Sequence, residues 1–287
     1  MQIKAYAKIN LCLDVLKKEK KYHRIRTVLQ QIGLHDVVTV KETDAAGIAI
    51  ECDVPGVPLD RRNTVYKAAL IMKQYAGQAG AKDHVSKKGL LIKIQKDIPV
   101  ASGLGGASSD AAAVMNALNK IWKLKLTPAR LRVLAAEIGM DTPFFISGGT
   151  ALGTHYGEKI RPLAPIKMPP FLIAIDGQKK STVEMYHLLD LKKTGRKKDL
   201  TEYFVGSLKK NKSLTQACRN FHNDFETVLF HKKMASTRQL YKKLLRSGAS
   251  VVLMSGSGPA ICSLYKNEDT LNRAYENLAG KVRFLWK

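Results

Sequence analysis

Chemistry in this chain would gather first around residues 99–113, Pro-Val-Ala-Ser-Gly-Leu-Gly-Gly-Ala-Ser-Ser-Asp-Ala-Ala-Ala. Gly103, Gly105 and Gly106 lack a Cβ, so the backbone can take positive φ and come close to a ligand. Ser108 and Ser109 add hydroxyls where a starting helix has unpaired N–H groups. Residues 89–94 read as a strand and residues 110–122 as a helix, with Ala113, Val114, Ala117, Leu118 and Ile121 on its apolar side. A glycine loop between strand and helix is an anion site; the alternative is a plain turn with an N-cap. No Gly-Lys-Ser/Thr ends the loop, so it is not a P-loop, and the dinucleotide fingerprint would need a parallel unit and an acid about 20 residues on.

Further polar residues stand in apolar surroundings. Lys8 and Asn10 lie two apart in an alternating run and share a strand face, which can be a functional face or simply an exposed one. Asp141 follows a helix end at Gly139 and precedes Pro143-Phe144-Phe145, with Gly148-Gly149 beyond; it can be a general base or a turn residue. Tyr22-His23 sits beside a β-compatible run, and Tyr186 faces inward from a helix capped by Ser181 or Thr182. Ser255-Gly-Ser-Gly-Pro259 reads as a glycine-rich hairpin between two strands.

The elements that must position these residues can be read in outline. Residues 3–15 form one or two strands, and 37–41 and 48–52 form two strands joined at 44–47. Asn63 caps a helix reaching Tyr75; Thr127-Pro128 starts another that Gly139 ends. The proline-rich crossing 162–170 leads into an apolar strand at 171–175, which divides the chain into domains 1–152 and 153–287. The second half carries helices near 199–208, 224–230 and 234–247, strands at 250–254, 260–264 and 282–286, and a last helix capped at residues 266–269.

Composition narrows the class. The 287 residues are 45% apolar and can bury a large core. No run of 18 or more apolar residues occurs and the first residues lack a signal-peptide core, so the expectation is a cytoplasmic chain without a membrane span. Cys12, Cys52, Cys218 and Cys262 are far apart and read as small core residues. The net charge of +24 would gather anions and seeds a rival reading, a non-enzymatic RNA-binding protein. Its basic clusters, at 17–26, 192–198, 209–212 and 232–246, carry no base-reading motif and read as solvated faces.

Taken in order, the motifs resemble those of the GHMP kinases. The pattern Pro-x-x-x-Gly-Leu-Gly-Gly-x-Ser-Ser-x-Ala-Ala is similar to their phosphate loop, and Met254-Ser-Gly-Ser-Gly-Pro259 to their third motif. Ala7-Lys8-Ile9-Asn10-Leu11, Tyr22-His23, Asn63-x-Val-Tyr-Lys-Ala-Ala, Gly139-x-Asp-x-Pro-Phe-Phe145 and Asn223-Asp-Phe-Glu226 resemble one branch, the 4-diphosphocytidyl-2-C-methyl-D-erythritol kinases of the non-mevalonate isoprenoid pathway. The resemblance implies an α+β fold: an N-terminal ATP domain like ribosomal protein S5 domain 2, and a C-terminal α/β sandwich domain. It implies phosphoryl transfer from ATP, with Mg²⁺, to the 2-hydroxyl of the cytidine diphosphate-linked substrate.

On that reading Asp141 is the general base and Lys8 keeps it ionised and offsets charge on the transferred group. ATP would be held by Asn63, Lys96, Pro99, Gly103, Leu104, Gly105, Gly106, Ala107, Ser108 and Ser109. The substrate would meet Asn10, Tyr22, His23, Asp141 and Tyr186, the two tyrosines sandwiching the cytosine and His23 reading its edge. No carboxylate pair offers itself for Mg²⁺, whose ligands would be phosphates, water and one hydroxyl. A homoserine or mevalonate kinase of the same superfamily is the alternative, no nucleic acid is expected, and the oligomeric state stays open. Departures from the branch pattern are Lys20-Lys21 in place of Asp-Gly, Met140 and Thr142 in the Asp141 turn, and His155 where a glycine is expected, which puts the shape of that loop in doubt.

Overall fold

A computed structural model describes residues 1–19, 22–78, 88–178, 181–209 and 218–287. The Lys20-Lys21 departure, and Lys210 and Lys212 of the basic cluster, lie outside the described residues. The chain forms two compact units that are not contiguous in sequence. Unit 1 comprises Met1–Ala7, Ile32–Val100 and Gly105–Gly148; unit 2 comprises Lys8–Gln31, Ala101–Leu104 and Gly149–Lys287. Unit 1 therefore lies within the first expected domain, while unit 2 takes the second and two pieces of earlier chain.

Two long strands, β1 (Gln2–Glu19) and β2 (Tyr22–Thr43), lend residues to both units. In unit 1, β4 (Gly89–Gln95) pairs antiparallel with β2 from Val37 opposite Gln95 to Thr43 opposite Gly89. β3 (Ile48–Cys52) pairs with β4 in parallel. The strands flanking 44–47 are thus not neighbours as expected: β4 inserts between them. Gly89 permits this, because an added Cβ there would lie 1.8 Å from Ala45 O.

Helices α1 (Thr64–Gln78) and α2 (Gly106–Ile121) cover this sheet. Ala68, Ala69, Ala111, Ala112 and Ala117 are buried with Met72, Val114 and Leu118 against Val38, Val40, Leu90 and Ile92. Small side chains let helix axes approach, which explains the alanine run after the loop. Asn63 Oδ1 caps α1 at Val65 N, and Thr127 Oγ1 caps α3 (Pro128–Ala136) at Arg130 N. α2 starts at Gly106, four residues before the expected start, because Gly105 is its N-cap in the left-handed region at φ 79°.

In unit 2, β5 (Thr150–Thr154) pairs antiparallel with β2, β6 (Lys159–Pro162) with β5, and β8 (His222–Asn223) pairs parallel with β1. A second, antiparallel sheet has the order β11 (Phe284–Trp286), β7 (Phe171–Ile175), β10 (Ile261–Leu264), β9 (Val251–Met254). The helices spanning Ala235–Leu245 and Glu268–Leu278 pack on it through Leu240, Leu244, Leu271, Ala274 and Leu278. Asp224–Phe230 is a 3₁₀ run and not the expected α-helix; an apolar pattern over seven residues fits either. Cys12 and Cys262 are core residues, whereas Cys52 and Cys218 are only half-buried.

Candidate active site

In unit 1 the second part of the glycine loop becomes the start of α2. No side chain caps that helix, so its first N–H groups remain available to an anion. Gly106 is packed closely: an added Cβ would be 3.1 Å from both Lys96 Nζ and Ile98 Cγ2. Ala107 is exposed and Ser108 half-buried, while buried Ser109 donates its hydroxyl to Tyr6 O at 2.7 Å. Pro99 is half-buried at the loop entrance. Asn63 is committed to its cap and to Pro58 O, to which Nδ2 donates at 2.6 Å.

Lys96, expected among the residues that hold ATP, has its ammonium engaged by two carboxylates. Its side chain is 6% exposed, and Nζ pairs with Asp36 and, at 2.8 Å, with Asp110. Burial lowers its pKa, but the two carboxylates more than offset this and hold the ammonium above the ordinary lysine value. Lys96 therefore supports the loop from beneath as an internal ion pair.

Asp141 opens the short helix α4 (Thr142–Phe145), is half-buried, and makes no side-chain capping bond to it. A Cβ on Gly139 would be 3.4 Å from Thr142 Oγ1 and 4.0 Å from Ser108 Oγ, so the Asp141 turn runs beside the phosphate loop's serine. Thr142 Oγ1 is buried without a hydrogen-bond partner among the described residues.

Unit 2 holds Lys8, 3% exposed, on β1. Its Nζ donates to Asn10 Oδ1 at 2.7 Å, Asn10 Nδ2 to Thr27 Oγ1 at 2.8 Å, and Thr27 Oγ1 to Cys12 O at 2.7 Å. The shared strand face expected for Lys8 and Asn10 is thus observed, and Thr27, which no local motif marks, anchors it. Lys8 N also donates to the carbonyl of buried Leu104 at 2.9 Å. Gly103, at φ 90°, has Ser255 O only 2.4 Å from where a Cβ would stand, and Ser255 Oγ donates to Gly103 O at 3.1 Å. The expected hairpin at 255–259 therefore meets the first part of the glycine loop.

The aromatic residues are arranged differently from the expected sandwich. His23 lies flat on Tyr186, with ring centroids 4.6 Å apart and planes at 8°, while Tyr22, 51% exposed, leans on Tyr156 at 5.3 Å. Neighbouring strand residues point to opposite faces, so Tyr22 and His23 are set apart by the strand itself. Burial, with Lys18 and His187 adding to it, holds His23 below the ordinary imidazole value. His155 takes the glycine's place at φ 64°; its Nδ1 pairs with Glu158 Oε1, and Glu158 Oε2 accepts the Tyr156 N–H at 2.9 Å. The turn survives without its glycine, held by Glu158.

Residues 63–149 match the family described as GHMP kinases N terminal domain, and residues 207–283 match GHMP kinases C terminal. A 4-diphosphocytidyl-2-C-methyl-D-erythritol kinase of Alkaliphilus metalliredigens is 37% identical over 280 residues, 97% of this chain and 92% of that protein. The chain belongs to this family of GHMP kinases. A kinase of the same name from Caldanaerobacter subterraneus subsp. tengcongensis is 38% identical over 99% of this GHMP kinase and 95% of the relative. The crystal structure of a 4-(cytidine 5'-diphospho)-2C-methyl-D-erythritol kinase superposes with a TM-score of 0.77 at 28% identity, covering 100% of this chain and 97% of that one. The Methanococcus jannaschii mevalonate kinase, at 16% identity and a TM-score of 0.73 over 100% and 96% of the two chains, shares the fold.

For this GHMP kinase the sequence reading missed two buried carboxylates beneath the phosphate loop. Asp36 accepts the N–H groups of Asp97 and Ile98 at 2.8 and 2.7 Å as well as Lys96. Asp110 reads in sequence as an acid favoured near a helix N-terminus, which gave no sign of its burial. Anion binding fits the kinase's residues, since the α2 start is uncapped and Gly106 lacks room for a side chain. Among the described residues no group of three or more His, Cys, Asp or Glu could hold a metal. A divalent cation would therefore share phosphate oxygens with a hydroxyl such as that of Ser108.

Proposed function

We propose that this kinase transfers the terminal phosphoryl group of ATP to the 2-hydroxyl of 4-diphosphocytidyl-2-C-methyl-D-erythritol, a step of the non-mevalonate route to isoprenoid precursors, in the cytoplasm. The reading is carried by the 37% identity over 97% of the chain with a relative named for that substrate. Residues 1–152 form the ATP-binding domain, which also lends Asn10, Tyr22, His23 and Asp141 to the substrate, and residues 153–287 form the substrate domain; nucleic acid has no part in it.

The hydroxyl oxygen forms a bond to the γ-phosphorus as the bond to the β–γ bridging oxygen breaks, and ADP leaves. Asp141 accepts the hydroxyl proton, and the nearness of its turn to Ser108 of the phosphate loop supports this role. Lys8, oriented by Asn10, contributes positive charge to the transferred group. The α2 N–H groups and the backbone from Gly103 to Ser109 hold the phosphates. Mg²⁺, with Ser108, would neutralise developing phosphate charge. Tyr22, His23 and Tyr186 receive the cytosine; a ring entering against Tyr186 must displace His23 from its face.

Asp141→Asn tests the assignment. Both ligands should bind by calorimetry while turnover falls about 10²- to 10⁴-fold. Turnover within a few fold of wild type would remove Asp141 from the mechanism, and phosphorylation of homoserine or mevalonate in place of the cytidine compound would remove the substrate.

A further inference from the structure

Residues 223–226, Asn-Asp-Phe-Glu, open a 3₁₀ run, yet their polar side chains serve other segments of unit 2. Asn223, 4% exposed, donates through Nδ2 to Met254 O at 2.6 Å and to Gly256 O at 2.7 Å, while Oδ1 accepts the Phe225 N–H at 2.9 Å. Glu226 Oε1 accepts the Met254 N–H at 2.9 Å. Asp224 Oδ2 accepts the N–H groups of Val15 and Gly195, both at 2.7 Å. The backbone of β8 runs alongside β1, with Leu13 opposite Asn223. A cap needs only the one oxygen; the two bonds from Nδ2 tie β8, and with it β1, to the end of β9 at Met254 and to Gly256 of the hairpin that follows.

That hairpin delivers one residue to the lysine. Gly256 sits at φ 54°, and a Cβ on it would be 3.2 Å from Lys8 Nζ, 3.2 Å from Gly103 O and 3.4 Å from Asn10 Oδ1. The carbonyl held by Asn223 belongs to this same glycine. We infer that Asn223 is a positioning residue for phosphoryl transfer, fixing the Gly256 backbone against the Lys8–Asn10 pair. The role suits an amide: one atom donates twice and the other accepts, whereas a carboxylate of the same shape would set an oxygen against two carbonyls. The inference rests on Lys8 acting at the reacting groups.

The test is Asn223→Asp in the full chain, with steady-state kinetics for ATP and the cytidine substrate. Because misplacement by about 1 Å can cost 10²-fold, kcat should fall about 10-fold or more with both KM values within about three-fold. A folded variant with kcat within about two-fold of wild type, or a loss confined to KM, would overturn the inference. Gly256→Ala probes the same contact from the other end and should also lower kcat by about 10-fold, which keeps the test open if Asn223→Asp does not fold. Glu226→Gln keeps an acceptor for Met254 and should retain kcat within about two-fold; an equal loss there would mean that any disturbance of the hairpin suffices. Lys8→Ala separates the two ideas. If it keeps turnover, the reading of Lys8 fails; if it loses turnover while the other variants keep kcat, only the positioning role fails.

Discussion

Each unit buries a cluster of charge, and the two are built differently. In unit 1, two carboxylates share one ammonium: Asp36 is fully satisfied by Lys96 and two backbone N–H groups, but Asp110 Oδ1 is buried with no hydrogen-bond partner among the described residues. Burial pushes the Asp110 carboxyl up to about 7 against the pull of Lys96. In unit 2, Asp14 faces one histidine. His222 Nε2 donates to Asp14 Oδ1 at 2.8 Å, Nδ1 donates to Asn220 O at 2.8 Å, and Thr201 Oγ1 donates to Asp14 Oδ2 at 2.7 Å. Both ring nitrogens face oxygens that can accept, an arrangement that favours the protonated ring. Burial pushes its pKa down, and the bonds to Asp14 and Asn220 more than reverse this.

The balanced cluster joins secondary-structure elements, whereas the unbalanced one lies beneath the loop proposed to hold phosphate. Stability alone would not leave a buried carboxylate oxygen without a donor, which costs about 1–3 kcal/mol. Lys96 Nζ lies 3.1 Å from where a Cβ on Gly106 would stand, so this cluster packs against the start of α2.

The contrast breaks most sharply at Lys96→Met, which takes the shared ammonium from between Asp36 and Asp110. Urea unfolding at neutral pH should show a loss of about 3–5 kcal/mol, and a folded fraction should have a raised KM for ATP. A loss below about 1 kcal/mol would mean that the carboxylates find other partners. Asp14→Asn should cost less, about 1–3 kcal/mol by the same measurement, because with the carboxylate gone burial favours the neutral ring and His222 can shed its proton. An equal or larger loss than for Lys96→Met would invert the comparison.

The last test is a slope in pH. The folded chain keeps the Asp110 proton to about pH 7, whereas the unfolded chain releases it near 3.8, so the folded state holds more protons in between and stability falls as pH rises across that window. His222 contributes fully below its unfolded value of 6.5, and that contribution is lost as pH rises through its raised folded value. Urea midpoints against pH should therefore show two declines. Asp110→Asn should flatten the lower one while changing stability at its acid end by no more than about 1 kcal/mol; persistence of that decline would assign it to another group.

Much of the machinery was legible because it is local. The uncapped glycine turn into α2 follows from residues that tolerate positive φ, and the caps at Asn63, Thr127 and Ser181 follow from side chains that reach their own helix N–H groups. Lys8 and Asn10 share a face because strand side chains alternate. The same rule sends the neighbours Tyr22 and His23 to opposite faces, as the structure shows, but the expected cytosine sandwich did not apply it.

What the sequence by itself determined is thus the set of chemical groups and the backbone turns that present them, since each rests on interactions spanning a few residues. Only the tertiary structure decided their partners: β4 between β2 and β3, Asp36 and Asp110 on Lys96, His23 on Tyr186, and Asn223 on Gly256. These contacts join residues from 14 to 163 positions apart, if the separations of Lys96–Asp110 and His23–Tyr186 are taken as the limits. A buried side chain takes whichever donor or acceptor the packing of distant strands brings within about 3 Å, and periodicity within a segment carries no information about that choice.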